Sequence, residues 1–103
     1  MWQSRFFVLR NRMLFYYQTK DHYSQHLGIK GVLNFQQVRF DASFDSTKLK
    51  IMLKMHGTSR VFILKCTEAN DFAIWQKRIT HAIDLSYGKA NNLKINDYSE
   101  NIN

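Results

Sequence analysis

The sequence predicts an α+β fold, an antiparallel β-barrel or sandwich of about six short strands capped by one C-terminal α-helix. Three observations carry this. Short runs of aromatic and β-branched residues, separated by polar turns, fill residues 5–66. One long amphipathic stretch follows, from Thr67 to Gly88. The chain contains no proline, so nothing breaks that stretch.

The helix is the element that closes the fold. At about 100° per residue, Phe72, Trp75, Ile79, Ala82 and Ile83 share one narrow arc, while Asp71, Gln76, Lys77, Thr80 and Asp84 fall outside it. Thr67 suits the N-cap, because its hydroxyl can accept from a free N–H of the first turn. Gly88 suits the left-handed residue that ends a helix. An aromatic stripe at this spacing is a core-facing stripe.

The strands come before it. Phe6-Phe7-Val8-Leu9, within Arg5 to Arg10, is apolar on both faces. Asn11 suits a tight turn, and Met13 to Tyr17 forms the second half of a hairpin. Thr19 to Gly28 has no period and reads as a long loop. Ile29 to Phe35 and Gln37 to Phe40 read as two short strands around a corner, and Asp41 to Thr47 as a polar turn. Lys48 to Met55 alternates cleanly, with Leu49, Ile51, Leu53 and Met55 inward and Lys48, Lys50 and Lys54 outward. Arg60 to Cys66 is the last strand. The domain is thus expected over residues 1–88, with 89–103 a polar tail carrying five asparagines.

Composition bounds the function. Of the 15 Lys and Arg, eleven lie in residues 1–65 with three acidic groups, a local net of 11 − 3 = +8. The remainder carries 4 − 5 = −1. The strand region is cationic, which suits phosphate-rich partners. No apolar run approaches the roughly 20 residues of a membrane span, and no signal peptide is evident. A single cysteine, Cys66, excludes an internal disulfide and fits a reducing compartment. His22 and His26 are four apart, but no third ligand stands near them, so no metal site is expected. No nucleophile–base or carboxylate pair stands out, so neither an enzyme nor a cofactor is expected. Single-stranded nucleic acid fits the charge, but most aromatics fall on core positions.

In order, Trp2-Gln3-Ser4-Arg5-Phe6-Phe7-Val8-Leu9, Leu14-Phe15-Tyr16-Tyr17 and Lys30-Gly31-Val32-Leu33 resemble a pleckstrin-homology (PH) domain entered at its second strand. Arg60 to Leu64, followed by Phe72-x-x-Trp75-x-x-x-Ile79-x-x-Ala82-Ile83, resembles that family's last strand and C-terminal helix. The family's first strand, with its Gly-x-Leu-x-Lys pattern, has no counterpart here, and its basic-x-Arg signature reads Gln3-Ser4-Arg5. The resemblance implies two sheets with a helix at one end and a phosphate-binding rim at the other. On that rim it implies roles for Arg5, Tyr16 and Lys30, with Lys20 in one loop and Lys54 and Arg60 beside another. His22, His26 and His56 fall on the same loops, and would strengthen binding to anions as pH falls. Arg10 and Arg12 belong to the opposite end.

The expected function is non-catalytic targeting to a membrane surface through anionic phospholipid, either phosphoinositide or phosphatidic acid. The protein would then be cytoplasmic and peripherally membrane-associated. The alternative is a protein-interaction module on the same fold, for which Ile74 and Leu85, off the core stripe, are candidate contacts. The absent first strand should leave the edge of the Arg5–Arg10 strand open or unusually covered, and Leu93-Lys94-Ile95 is the internal candidate for covering it.

Overall fold

The hairpin at residues 5–17 forms because β1 (Arg5–Arg10) and β2 (Met13–Tyr17) are rich in strand-favouring residues and joined by a two-residue turn. Asn11 and Arg12 have φ of 52° and 59°, the paired positive values of a type I′ turn that matches the strand twist. The computed structural model describes residues 2–86 and 98–102. Its further elements are α1 (Lys20–Ser24), β3 (Gly31–Asn34), β4 (Phe40–Asp45), β5 (Lys50–Met55), β6 (Val61–Lys65), α2 (Ala69–Ser86) and β7 (Tyr98–Ile102). One antiparallel sheet runs β3-β2-β1-β7 and the other β4-β5-β6. The two sheets form a sandwich rather than a closed barrel, with α2 as its helix.

The core lies between the sheets. Phe7, Leu9 and Leu14 come from the first sheet, Phe40, Ile51, Leu53 and Leu64 from the second, and all are buried. The five residues of the helical stripe, Phe72, Trp75, Ile79, Ala82 and Ile83, are the buried residues of α2. Phe72 meets Phe44 of β4 with ring centroids 6.4 Å apart, and Trp75 stands edge-on to Phe7 of β1 at 6.5 Å. The helix therefore reaches both sheets. Cys66 is buried, with its N–H donating to the Leu49 carbonyl at 2.9 Å.

Four local expectations change. The loop from Thr19 contains a short helix, α1, because the Thr19 hydroxyl accepts from the His22 N–H at 3.1 Å and caps it. Residues 35–39 are a turn rather than a strand. Asp41 to Asp45, read as a polar turn, belongs to β4, where Phe40, Ala42 and Phe44 face the core between Asp41, Ser43 and Asp45. The small and acidic members of that alternation hid its period. The first helical bond of α2 goes to the Glu68 carbonyl (3.0 Å), so the cap position is Glu68 rather than Thr67.

The edge of β1 is covered by the chain's own C-terminal segment. β7 pairs antiparallel with it, from Arg5↔Ile102 to Leu9↔Tyr98. Leu93-Lys94-Ile95, the segment expected to do this, lies outside the described residues, as does Gly88. Among the described residues, 98–102 take that place.

Candidate functional site

Arg5, Tyr16 and Lys30 come together in one pocket of about 480 Å³. Each is held by a backbone element. Arg5 opens β1, and its guanidinium donates to the Ser4 carbonyl at 2.8 Å and to Gln3 Oε1 at 2.7 Å. Tyr16 lies on β2, its ring 5.5 Å from that of Phe7. Lys30 immediately precedes β3, and its N–H donates to the Tyr16 carbonyl at 2.9 Å. The other walls are Trp2, Leu33 and the β6 residues Phe62, Ile63 and Leu64. Among the described residues no carboxylate lines it. Two cations against an apolar, aromatic wall attract an anion with an organic portion.

Gly31 sets the position of Tyr16. The two are cross-strand partners, and a methyl group on Gly31 would overlap the Tyr16 hydroxyl and ring. Gly31→Ala is therefore expected to swing the tyrosine off its seat at a cost of about 1–3 kcal/mol, typical of an overpacked site. In a Tyr16→Ala background that cost should vanish, because the overlapping atoms are gone. Urea denaturation of the four proteins of this cycle checks it. An equal cost in both backgrounds would assign it to the backbone.

The remaining sequence-derived residues lie elsewhere. α1 sits against the outer face of the hairpin, with Tyr23 5.5 Å from Phe6 and 5.2 Å from Tyr17 by ring centroid. The Arg10 guanidinium, assigned from the sequence to the opposite end, donates to the Tyr23 hydroxyl at 2.9 Å. Lys20 and His22 are on α1, and His22 Nδ1 is 2.7 Å from the Thr19 hydroxyl. His26, at φ 58°, lines a separate shallow concavity with Arg10, Tyr17 and Tyr23. Lys54 and His56 line a third, with Asp41, whose Oδ2 is 2.5 Å from His56 Nε2. Arg60 borders the main pocket indirectly, its guanidinium 4.6 Å from the centre of the Phe62 ring.

Two features escaped sequence reasoning. Trp2 is 47% exposed and lines both the pocket and an adjoining groove that carries Lys48, Lys50 and Lys65. The Lys50 ammonium sits 5.5 Å from the centre of the Trp2 ring. An aromatic residue outside any strand or helix period was the available signal. The pairing of Lys50 with Lys65 needs the register of β5 and β6, which local sequence does not state.

A two-sheet sandwich with one long core helix and a basic, aromatic-walled pocket defines a small binding module. The family model for the PH domain matches residues 1–84, and the chain belongs to that family. PH domains are generally non-catalytic signalling modules that bind lipids or proteins. No curated protein matches the chain. Among the described residues no helix is long and apolar enough to cross a membrane.

Proposed function

We propose that this PH domain is a non-catalytic, peripheral membrane module of the cytoplasm that binds anionic phospholipid head groups, phosphoinositide or phosphatidic acid. The observation that supports it is the meeting of Arg5, Tyr16 and Lys30 in one pocket that no carboxylate of the described residues lines. On binding, the Arg5 guanidinium exchanges its bonds to Ser4 and Gln3 for phosphate oxygens, the Lys30 ammonium supplies a second charge, and the Tyr16 hydroxyl donates to a phosphate oxygen. The negative field of an anionic leaflet adds to the attraction of the cationic strand region. None of His22, His26 and His56 lines the pocket.

Vesicle sedimentation separates a pocket from a diffuse basic surface. A charge-assisted bond to phosphate is worth about 1.5–3 kcal/mol, so Arg5→Ala and Lys30→Ala should each weaken binding roughly ten- to a hundredfold. A lysine that senses only the surface field contributes about 1 kcal/mol or less, so Lys48→Ala and Lys50→Ala should each cost no more than about fivefold. All four sites are at or near the surface, and the variants are expected to fold. Equal losses from all four would mean a non-specific basic face. No loss from any would favour the protein-interaction reading, for which Ile74 on α2, 37% exposed, offers a contact.

A further inference from the structure

The second sheet has an outer face that the core does not use. Its β5 and β6 residues alternate outward in three cross-strand rows: Lys50 with Lys65, Met52 with Ile63, and Lys54 with Val61. Met52, Val61 and Ile63 are 41–46% exposed. Trp2 extends this surface at the Lys50 end, and Ile63 joins it to the mouth of the pocket. Among the described residues no carboxylate pairs with Lys50, Lys54 or Lys65. The acidic residues of this sheet, Asp41 and Asp45 of the edge strand β4, stand on the same face, cross-strand from Lys54 and Lys50, and each is engaged by another group. Asp45 accepts from the N–H groups of Thr47 and Lys48, and Asp41 meets His56.

We infer that this outer face, with Trp2, is the surface that lies on an anionic bilayer while the pocket holds a head group, an inference that rests on the proposed lipid binding. Charge and composition select the occupant. A protein interface is depleted of lysine at its centre, whereas this face alternates lysine with apolar side chains. That pattern suits the headgroup layer, where lysine stems lie along acyl chains and their ammonium groups reach phosphate. Lys50 has Lys65 on one side and Asp45 on the other, and the field of an anionic leaflet lowers the lysine–lysine repulsion. Trp2 has the amphipathic ring that settles at a membrane–water interface. The module therefore docks on the β5–β6 side of this sheet, with the engaged β4 carboxylates at the rim of the face and α1 turned away.

The test uses the full chain on phosphatidylcholine vesicles, plain or carrying phosphatidic acid and phosphoinositide. Met52→Thr/Val61→Thr removes apolar surface at two positions outside the pocket and keeps a strand-compatible side chain at each. It should weaken binding to the anionic vesicles roughly tenfold, in proportion to the apolar area no longer buried. Trp2 emission should shift to the blue on binding and be quenched by brominated acyl chains. Trp2→Phe should abolish that response, since Trp75 is fully buried. Wild-type affinity in the double variant, with no quenching of Trp2, overturns the docking face. If Arg5→Ala still weakens binding in that case, the head-group pocket stands without it. Loss in the double variant but none in Arg5→Ala would support the face and overturn the pocket. A wild-type protein that ignores anionic vesicles overturns both.

Discussion

Trp75→Ala is expected to unfold the domain at temperatures where the native protein is fully folded. Trp75 is fully buried, at the centre of the α2 stripe, and its ring stands edge-on to Phe7 across the core. Truncating a buried tryptophan costs about 3–5 kcal/mol, the lost transfer energy plus that of the cavity left behind. A domain of this size has a total stability of about 5–15 kcal/mol, so the melting midpoint should fall by roughly 15–25 °C. Ile74, next along the helix but largely outside the core, is the control. Its alanine variant should change stability by no more than about 0.5 kcal/mol. Thermal denaturation followed by circular dichroism decides between them. A Trp75→Ala protein that melts near the native midpoint would remove α2 from its place as the element that closes the sandwich.

Removing residues 98–103 should produce a less stable protein that associates with itself. β7 occupies the edge of β1 at five paired positions. With each interstrand bond contributing about 0.5–1.5 kcal/mol net, the loss comes to roughly 2–4 kcal/mol. The exposed strand would be Phe6-Phe7-Val8-Leu9, buried on both faces in the intact chain. An open edge of that composition is a template for pairing with another molecule. Sedimentation velocity at increasing protein concentration should show dimers or larger species for the truncated chain and not for the intact one. A truncated chain that stays monomeric with unchanged stability would mean that β7 contributes nothing to guarding the edge.

The elements that local pattern could identify were those whose side chains repeat without interruption. The α2 stripe is legible because five large or small apolar residues recur at helical spacing, and all five are buried. The hairpin is legible because Asn11 tolerates the positive φ that its turn requires. β4 was not legible, because Asp41, Ser43 and Asp45 outweigh Ala42 in any local reading, and only the neighbouring β5 shows which face is inward. α1 was missed because a five-residue helix held by one Thr19 cap is too short to display a period.

The candidate site divides along the same line. The residue types that hold phosphate, the cationic charge of the strand region and the resemblance to PH domains are properties of the chain read in order. Which of those residues meet is a property of strand register and sheet packing. The antiparallel register of β2 and β3 sets Tyr16 over Gly31 and beside Lys30, and the approach of β6 to β1 makes the opposite wall. The docking of Tyr23 on Phe6 and Tyr17 carries His22 and His26 away from that pocket with α1. Likewise, the polar segment Tyr98 to Ile102 has no strand signal of its own, yet it becomes a strand because β1 presents an unpaired row of backbone groups that must be satisfied. Local periodicity and charge are written into the sequence by itself. The partners of an edge, and the company each cation keeps, arise only when distant segments are brought within hydrogen-bonding reach.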